Sequence, residues 1–376
     1  MSLSASTQTL GPYHLIRPLA HGSFAVIHLA MREGARELVA LKELQHHTFG
    51  DPDSERRFRR EAHLCALLDH TNVCRLLDAG ADRDRFYIAF EYVPGVSLLR
   101  LMQRLRERDE RLPHEIAVQI IAQTLEGLEH MHSRRGPDGN PLHLIHRDLK
   151  PSNIMLRFDG VVKIIDFGVA AARVDTHRTE AGRAMGTMAY MSPEQLRAEP
   201  LDHRSDLYAV GVILYELLTD RRLVDVNGYV ELIDAVLHTK PPPLPSGIPD
   251  ALGHVLNRTL SKDRRQRWSN AAEFQNVLLN AVKASDRAVW IRLLRASFPN
   301  EWAEAENTLA SLRMADAPEE SVQPQFSATV AVQLDKKLRE ASNSDAFLTT
   351  VAVPISASRR PLLLRHFLLL RHRTES

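Results

Sequence analysis

The hydrophobic pattern of the chain changes character once, at Pro94-Gly95, and that switch limits the folds open to it. Ahead of it, short apolar runs alternate with turns: Tyr13 to Leu19, Phe24 to Ala30, Leu38 to Leu44, Leu76 to Ala79 and Tyr87 to Glu91 predict strands, and Ser54 to Leu68 predicts one helix. Behind it come long amphipathic helices, Ile116 to His132, Arg204 to Leu218, Val230 to His238 and Ala271 to Ala284, with short strands near Ile154 to Leu156 and Val162 to Ile165. The expected class is therefore α+β in two unequal lobes: a small antiparallel sheet carrying one helix over residues 13–93, then a larger, mainly helical lobe over 94–284. Residues 1–12 are expected to be a flexible N-terminus. Asp286 to Phe298 and Glu301 to Met314, separated by Pro299, predict a helical extension over 285–314 with Ser285 and Asn300 as N-caps. The Pro-, Ser-, Ala- and Thr-rich stretch 315–376 predicts a largely disordered tail.

Composition narrows the class further. Across 376 residues, 44% apolar and 25% charged side chains describe a soluble globular protein and exclude collagen-like, coiled-coil and wholly disordered chains. The formal charge of +1 offers no global attraction for nucleic acid, which is not expected as a partner. Two cysteines, Cys65 and Cys74, fit neither a disulfide framework nor a zinc site, and a reducing, cytoplasmic setting is the expectation. The opening residues MSLSASTQTL lack a basic, apolar leader. The leucine-rich stretch Pro361 to Leu370 is broken by Arg365 and His366 and falls short of the roughly 20 apolar residues a bilayer requires, so no segment is expected to cross a membrane.

The chemistry concentrates in His146-Arg147-Asp148-Leu149-Lys150-Pro151-Ser152-Asn153 and in Asp166-Phe167-Gly168 at the end of a predicted strand. Phosphoryl transfer from ATP needs cations to neutralise a polyphosphate and an acceptor for the hydroxyl proton. This spacing can supply both: Asp148 to orient the hydroxyl, Lys150 to approach the γ-phosphate, and Asn153 with Asp166 to hold Mg2+ through hard oxygen ligands. Upstream, Lys42 ends Val39-Ala40-Leu41-Lys42 on a predicted strand. It either points to solvent or meets Glu61 of the following helix and is held against the α and β phosphates. The turn Leu19-Ala20-His21-Gly22-Ser23-Phe24-Ala25-Val26-Ile27 is a phosphate cover in one reading and an ordinary hairpin in the other.

Taken together, Lys42, Glu61, the string from His146 to Asn153, Asp166-Phe167-Gly168 and Ser192-Pro193-Glu194 stand in the order of the protein-kinase signature set. From about Tyr13 to Ala284 the chain resembles a bacterial (Hanks-type) Ser/Thr protein kinase. The resemblance implies a bilobal kinase fold and ATP-dependent phosphorylation of protein hydroxyls. It implies that the backbone of Glu91 and Val93 meets the adenine edge, that Phe90 guards the pocket behind it, and that Ile27, Ala40 and Met155 sandwich the ring. It further implies a stack of Cys65, Leu76, His146 and Phe167 aligning the lobes, a pairing of Arg267 with Glu194, and Asp206 bracing the catalytic loop. Lys150 together with Thr187 of Gly186-Thr187 resembles the Ser/Thr-directed branch.

Two departures stand out. Where the family has Gly-x-Gly-x-x-Gly, this chain has Ala20-x-Gly22-x-x-Ala25, which is expected to stiffen the loop because alanine tolerates positive φ poorly. Residues Ser133 to Leu142, with Pro137-Asp138-Gly139-Asn140, are an insertion expected to form a short surface hairpin or loop. Regulation is read from Arg147, which in this family marks enzymes switched on by an activation-segment phosphate. Thr179 and then Thr176, among Arg173, Arg178 and Arg183, are the candidate autophosphorylation sites. The tail repeats Phe326-x-x-Thr329-Val-Ala-Val as Phe347-x-x-Thr350-Val-Ala-Val, two candidate sites for a phosphothreonine-reading partner, or two apolar patches. The basic, leucine-rich segment from Arg359 to Arg373 suits weak peripheral contact with an anionic membrane. A catalytically silent scaffold acting through its tail and a small-molecule phosphotransferase of kinase-like fold are the competing functions.

Overall fold

The computed structural model describes residues 8–22, 25–35, 37–44, 58, 61–82, 85–136, 138–166, 186–226 and 228–314. The first lobe is a six-stranded antiparallel sheet in the order β1-β2-β3-β4-β6-β5, made of β1 (Thr9–Leu10), β2 (Tyr13–His21), β3 (Ala25–Arg32), β4 (Leu38–Leu44), β5 (Leu76–Asp82) and β6 (Arg85–Glu91). Residues 61–65 are helical within the stretch expected to be one helix. Two-residue β1 carries too little periodicity to be seen in advance. Pro18 is tolerated because β2 runs beyond its short partner β1 and pairs irregularly with β3 on either side of Pro18, so the missing N–H removes no central ladder bond.

The pleat of β4 sorts its residues by chemistry. Val39 and Leu41 point into a small cluster with Leu10, Tyr13, Ala30, Tyr87 and Ala89. Ala40 and Lys42, two apart, therefore share the opposite face. The register sets Ala40 across from Leu29 and Phe90, and Lys42 across from Ile27 and Ile88.

After Pro94 comes a second sheet, with β8 (Ile154–Arg157) between β7 (Gly95–Ser97) and β9 (Val162–Ile164). Gly95 is required there: a Cβ would sit 2.1 Å from the Leu156 carbonyl oxygen. The helices are α1 (Leu98–Glu107), α2 (His114–His132), α3 (Pro193–Leu196), α4 (Arg204–Thr219), α5 (Tyr229–His238), α6 (Asp250–Thr259), α7 (Ala271–Ala281), α8 (Arg287–Ser297) and α9 (Pro299–Met314). One apolar core runs from Phe86 and Ile88 of the sheet through α2 and α4 to Trp290 and Phe298.

Several sequence expectations need correction. The helix α4 is buried on every side rather than amphipathic, so it is the central pillar of the lobe and not a surface helix. At the start of α8 the cap is Asp286, whose carboxylate accepts from the Ala288 N–H, in place of Ser285. Pro299 opens α9, where its fixed φ and absent N–H suit a first turn, so Asn300 lies inside the helix. Neither Ala20 nor Ala25 takes a positive φ; both lie in strands, so the conformation that alanine tolerates poorly is not called for at either position. The insertion closes as a short hairpin, with Leu142 N–H donating to Arg134 O and Gly136 N–H to Asn140 O, both at 2.9 Å. No helix among the described residues is long and apolar enough to cross a membrane.

Candidate active site

Lys42 is set by β4 and faces the cleft side of the sheet. Its Nζ lies 2.6 Å from Glu61 Oε1 and 3.3 Å from Asp166 Oδ1. Burial works against the ammonium, but the two carboxylates outweigh it and hold Lys42 well above the ordinary lysine range, so it stays charged. Asp166 follows β9 with φ 53°, a left-handed conformation that costs a non-glycine residue energy and presents its half-exposed carboxylate to Lys42.

The segment His146 to Asn153 is braced by Asp206, which is buried on α4. Its Oδ2 accepts from the His146 N–H at 2.8 Å and its Oδ1 from the Arg147 N–H at 2.9 Å, while His132 Nε2 meets Oδ2 at 2.8 Å. Burial alone would raise the Asp206 carboxyl; the His132 hydrogen bond and charge, with His146 and the Arg147 N–H, hold it below the usual carboxylate range. Arg147 is thereby kept at φ 69°, and the chain turns so that Asp148 follows. Lys150 Nζ donates to both oxygens of Asp148, at 3.0 and 2.8 Å, and to Thr187 Oγ1 at 3.2 Å. Asn153 donates to the Asp148 carbonyl at 2.8 Å and its carboxylate at 3.2 Å.

The donor set fits Mg2+. The Asn153 amide nitrogen is spent on Asp148, while the carbonyl oxygen Oδ1 accepts from the Ser152 hydroxyl at 3.1 Å and keeps a second lone pair that could meet a cation. The Asn153 backbone oxygen accepts from the Ile165 N–H at 2.9 Å, which ties it to the residue before Asp166. Two hard oxygens on linked backbone suit a small cation that keeps several of its own waters or phosphate ligands.

At the turn between β2 and β3, Leu19, Ala20 and His21 end β2, and Ala25, Val26 and Ile27 begin β3. The Gly22 N–H closes the turn onto Ala25 O at 2.9 Å. Ser23 and Phe24 lie outside the described residues. Phe90 and Val93 are buried, whereas Ala40 and Met155 remain partly open at the edge of the core. Cys65, Leu76 and His146 are buried, with burial raising the Cys65 thiol; Phe167 lies outside the described residues.

Several contacts had no signal in the sequence. Glu91 is more than hinge backbone: its Oε1 accepts from Lys163 Nζ at 2.6 Å and from the Arg75 N–H at 2.7 Å. Its own N–H donates to Arg75 O at 2.9 Å, and its carbonyl accepts from the Cys74 thiol at 3.8 Å. His132 joins Asp206 from a different helix. Gln195 closes a capping box with Ser192 and reaches the Arg147 carbonyl at 2.8 Å, linking the Ser-Pro-Glu turn to the catalytic segment. Arg267 grips Glu194 with two bonds of 2.7 and 2.9 Å, and Ser205 Oγ donates to the same carboxylate at 2.7 Å. The Arg267–Glu194 pairing was foreseen; the Ser205 hydroxyl was not. Thr176, Thr179, Arg173, Arg178, Arg183, Thr329 and Thr350 all lie outside the described residues.

A family model described as the protein kinase domain matches residues 13–279. The chain belongs to the protein kinase family. It is 33% identical over 277 residues to the tyrosine-protein kinase MasK of Myxococcus xanthus, covering 72% of this chain and 43% of that one. It is 34% identical over 299 residues to the probable serine/threonine-protein kinase PknB of Bifidobacterium longum, covering 74% and 41%. With the serine/threonine-protein kinase PrkC of Bacillus subtilis it shares 31% identity over 278 residues, covering 73% and 41%. The chain thus spans about two fifths of the length of these relatives. The kinase domain of Mycobacterium tuberculosis PknI, solved as a point mutant, superposes with a TM-score of 0.55 at 25% identity, covering 75% of this chain and 99% of that one.

Proposed function

We propose that this chain is an ATP-dependent protein serine/threonine kinase that transfers the γ-phosphate to protein hydroxyls. The observation that carries the reading is the Lys42 ammonium at 2.6 Å from Glu61 and 3.3 Å from Asp166, partners 19 and 124 positions away in the chain. The two carboxylates keep this part-buried ammonium charged and fix its position, which is what gripping a polyphosphate requires.

In this reading Leu19 to Ile27 cover the phosphates, Lys42, oriented by Glu61, binds them, and Ala40, Phe90, Glu91, Val93 and Met155 enclose the adenine. Mg2+, when bound, supplies neutralising charge, and Asn153 with Asp166 would hold it. Asp148 orients the acceptor hydroxyl and takes its proton as the oxygen bonds to phosphorus and the bond to the bridging oxygen breaks. Lys150 hydrogen-bonds the phosphoryl group in transit. Its contact with Thr187 as well as Asp148 supports a Ser/Thr acceptor. Arg147 with Thr179 or Thr176 would form the phosphate-controlled switch, while Glu194, Arg267 and Asp206 keep the catalytic framework. The lobes are 13–93 and 94–284, with 285–314 as an added helical segment. Phosphorylated Thr329 or Thr350 would recruit a phosphothreonine-reading module, the basic segment from Arg359 would touch membranes weakly, and the free cysteines support a cytoplasmic setting.

Incubation of the purified chain with radiolabelled ATP and Mg2+, beside an Asp148→Asn control, tests this. Label on protein serine or threonine supports it. Label only on tyrosine, as the name of one relative suggests, label only on small molecules, or no label at all would each overturn it.

A further inference from the structure

The family match ends at residue 279, yet α8 and α9 continue to Met314 and are built into the molecule. Trp290, Leu294 and Phe298 are fully buried and Ala305 nearly so. Their seat lies on the second lobe. Arg287 Nε donates to Asp159 O in the β8–β9 turn at 2.7 Å, and Trp290 lies against Gly160, where a Cβ would come within 3.0 Å of the indole. On α1, Arg108 donates to the Ala296 carbonyl, Arg100 and Arg104 both cover the Phe298 ring at 5.6 Å, and Arg100 also pairs with Glu301. Trp302 stands 5.1 Å from the Phe158 ring.

One turn further along α9 the contacts change lobe. Glu304 Oε1 lies 2.6 Å from Arg17 Nη2 on β2, the strand that runs into the Gly22 turn. α9 also packs against β7, the strand that directly follows the segment joining the lobes, so the pair sits beside the hinge. A helix pair anchored in one lobe by aromatic and arginine contacts thus touches the other through the Arg17–Glu304 charge pair.

We propose that α8–α9 is a strap across the hinge edge, and that Glu304 is a positioning residue which, through Arg17, sets where β2 and its phosphate turn lie for nucleotide. This rests on the cleft being a nucleotide site. Both side chains are about half exposed, at 41% and 55%, so the pair is worth a modest shift, about two- to fivefold in an equilibrium, and salt screens it.

The test measures binding of a fluorescent ADP analogue to the full chain, with amide hydrogen exchange of residues 15–22 as a readout that needs no nucleotide. Glu304→Arg and Arg17→Glu are each expected to weaken binding about two- to fivefold at low salt and to speed exchange in β2. Both effects should vanish in 0.5 M salt. The double variant, which restores opposite charges, should return both readouts to within about 1.5-fold of the parent. Unchanged exchange in the single variants, or a double variant no better than either single, overturns the strap. Exchange that shifts while nucleotide affinity does not overturns the positioning role. A parent chain that binds no nucleotide would sink the kinase reading instead, and the exchange arm would still decide the bridge between lobes.

Discussion

Replacing Arg267 with methionine removes the guanidinium that satisfies both oxygens of Glu194 while leaving a side chain of similar reach. The two residues are about 2% and 3% exposed, so the abandoned carboxylate stays out of water. It keeps the Ser205 hydroxyl at 2.7 Å and its own backbone N–H, and the Ser261 and Arg204 carbonyls lose Arg267 donors at 2.8 and 3.1 Å. Breaking one side of a buried pair costs about 3–5 kcal/mol. At roughly 2–4 °C per kcal/mol for a domain of this size, the melting temperature should drop by about 6–20 °C. The pH dependence sharpens the claim. In the native protein burial pushes the Glu194 carboxyl up, and the Arg267 bonds and charge more than reverse it, leaving it below the ordinary range. That stabilisation is present above the unfolded value, about 4.3, and is lost only as pH falls through the lower folded value. In Arg267→Met burial is opposed only by the Ser205 hydroxyl and the Glu194 N–H, so the carboxyl is expected to rise above its unfolded value; the penalty is full at neutral pH and is relieved as pH falls through that raised value. The gap between parent and variant should therefore narrow from pH 7.5 to pH 5 in urea denaturation followed by tryptophan fluorescence. Adding Glu194→Gln should recover part of the loss at pH 7.5. A gap under about 1 kcal/mol, or one that is constant across this pH range, would refute the argument that desolvation makes the pair matter.

Three further outcomes follow from the same geometry. Lys42→Met is expected to lower labelled-phosphate incorporation by at least about 100-fold, since it removes the cation held between Glu61 and Asp166. Asp206→Asn turns a donor toward the His146 and Arg147 N–H groups; turnover should fall roughly tenfold or more, with faster amide exchange at those two residues. Glu216 is buried, and burial outweighs the hydrogen bond from the Tyr190 hydroxyl, so its carboxyl is pushed up to about 6. A folded value above the unfolded one means stability that is whole at low pH and lost as pH rises through 6. Glu216→Gln should accordingly stabilise the protein by about 2 kcal/mol at pH 8, with the gain gone near pH 4.5, as measured by urea titration at both pH values.

Much of this was legible along the chain because it is local. The period-two runs around Val39 to Lys42 and the period-3.6 runs of α2 and α7 report which face is apolar, and that depends only on near neighbours in sequence. The catalytic string reads directly because His146 to Asn153 is a single turn whose residues act together. What escaped was of two kinds. Two-residue β1 and the Asp286 cap carry too few residues for a period to emerge, whereas ten-residue α1 does carry one, Leu98, Leu101, Met102 and Leu105 lying buried at helical spacing. Buried polar partners drawn from remote segments, Glu91 with Lys163, His132 with Asp206 and Gln195 with Arg147, leave no mark, because each residue alone reads as an ordinary charged or polar side chain.

By itself, then, the order of residues determined the two-lobe α+β class, the family and the set of groups able to handle a phosphate, since each follows from local periodicity or contiguous motifs. Only the tertiary structure decided that Lys42 turns inward, that α4 is a buried pillar holding Asp206 under the catalytic segment, and that α9 reaches back to Arg17. The last needs only the folded α9 to bring the half-exposed Arg17 and Glu304 together. The first two rest on pairing in a low dielectric between groups up to 124 positions apart, Lys42 and Asp166. Such pairing exists only once the core has closed and water has left.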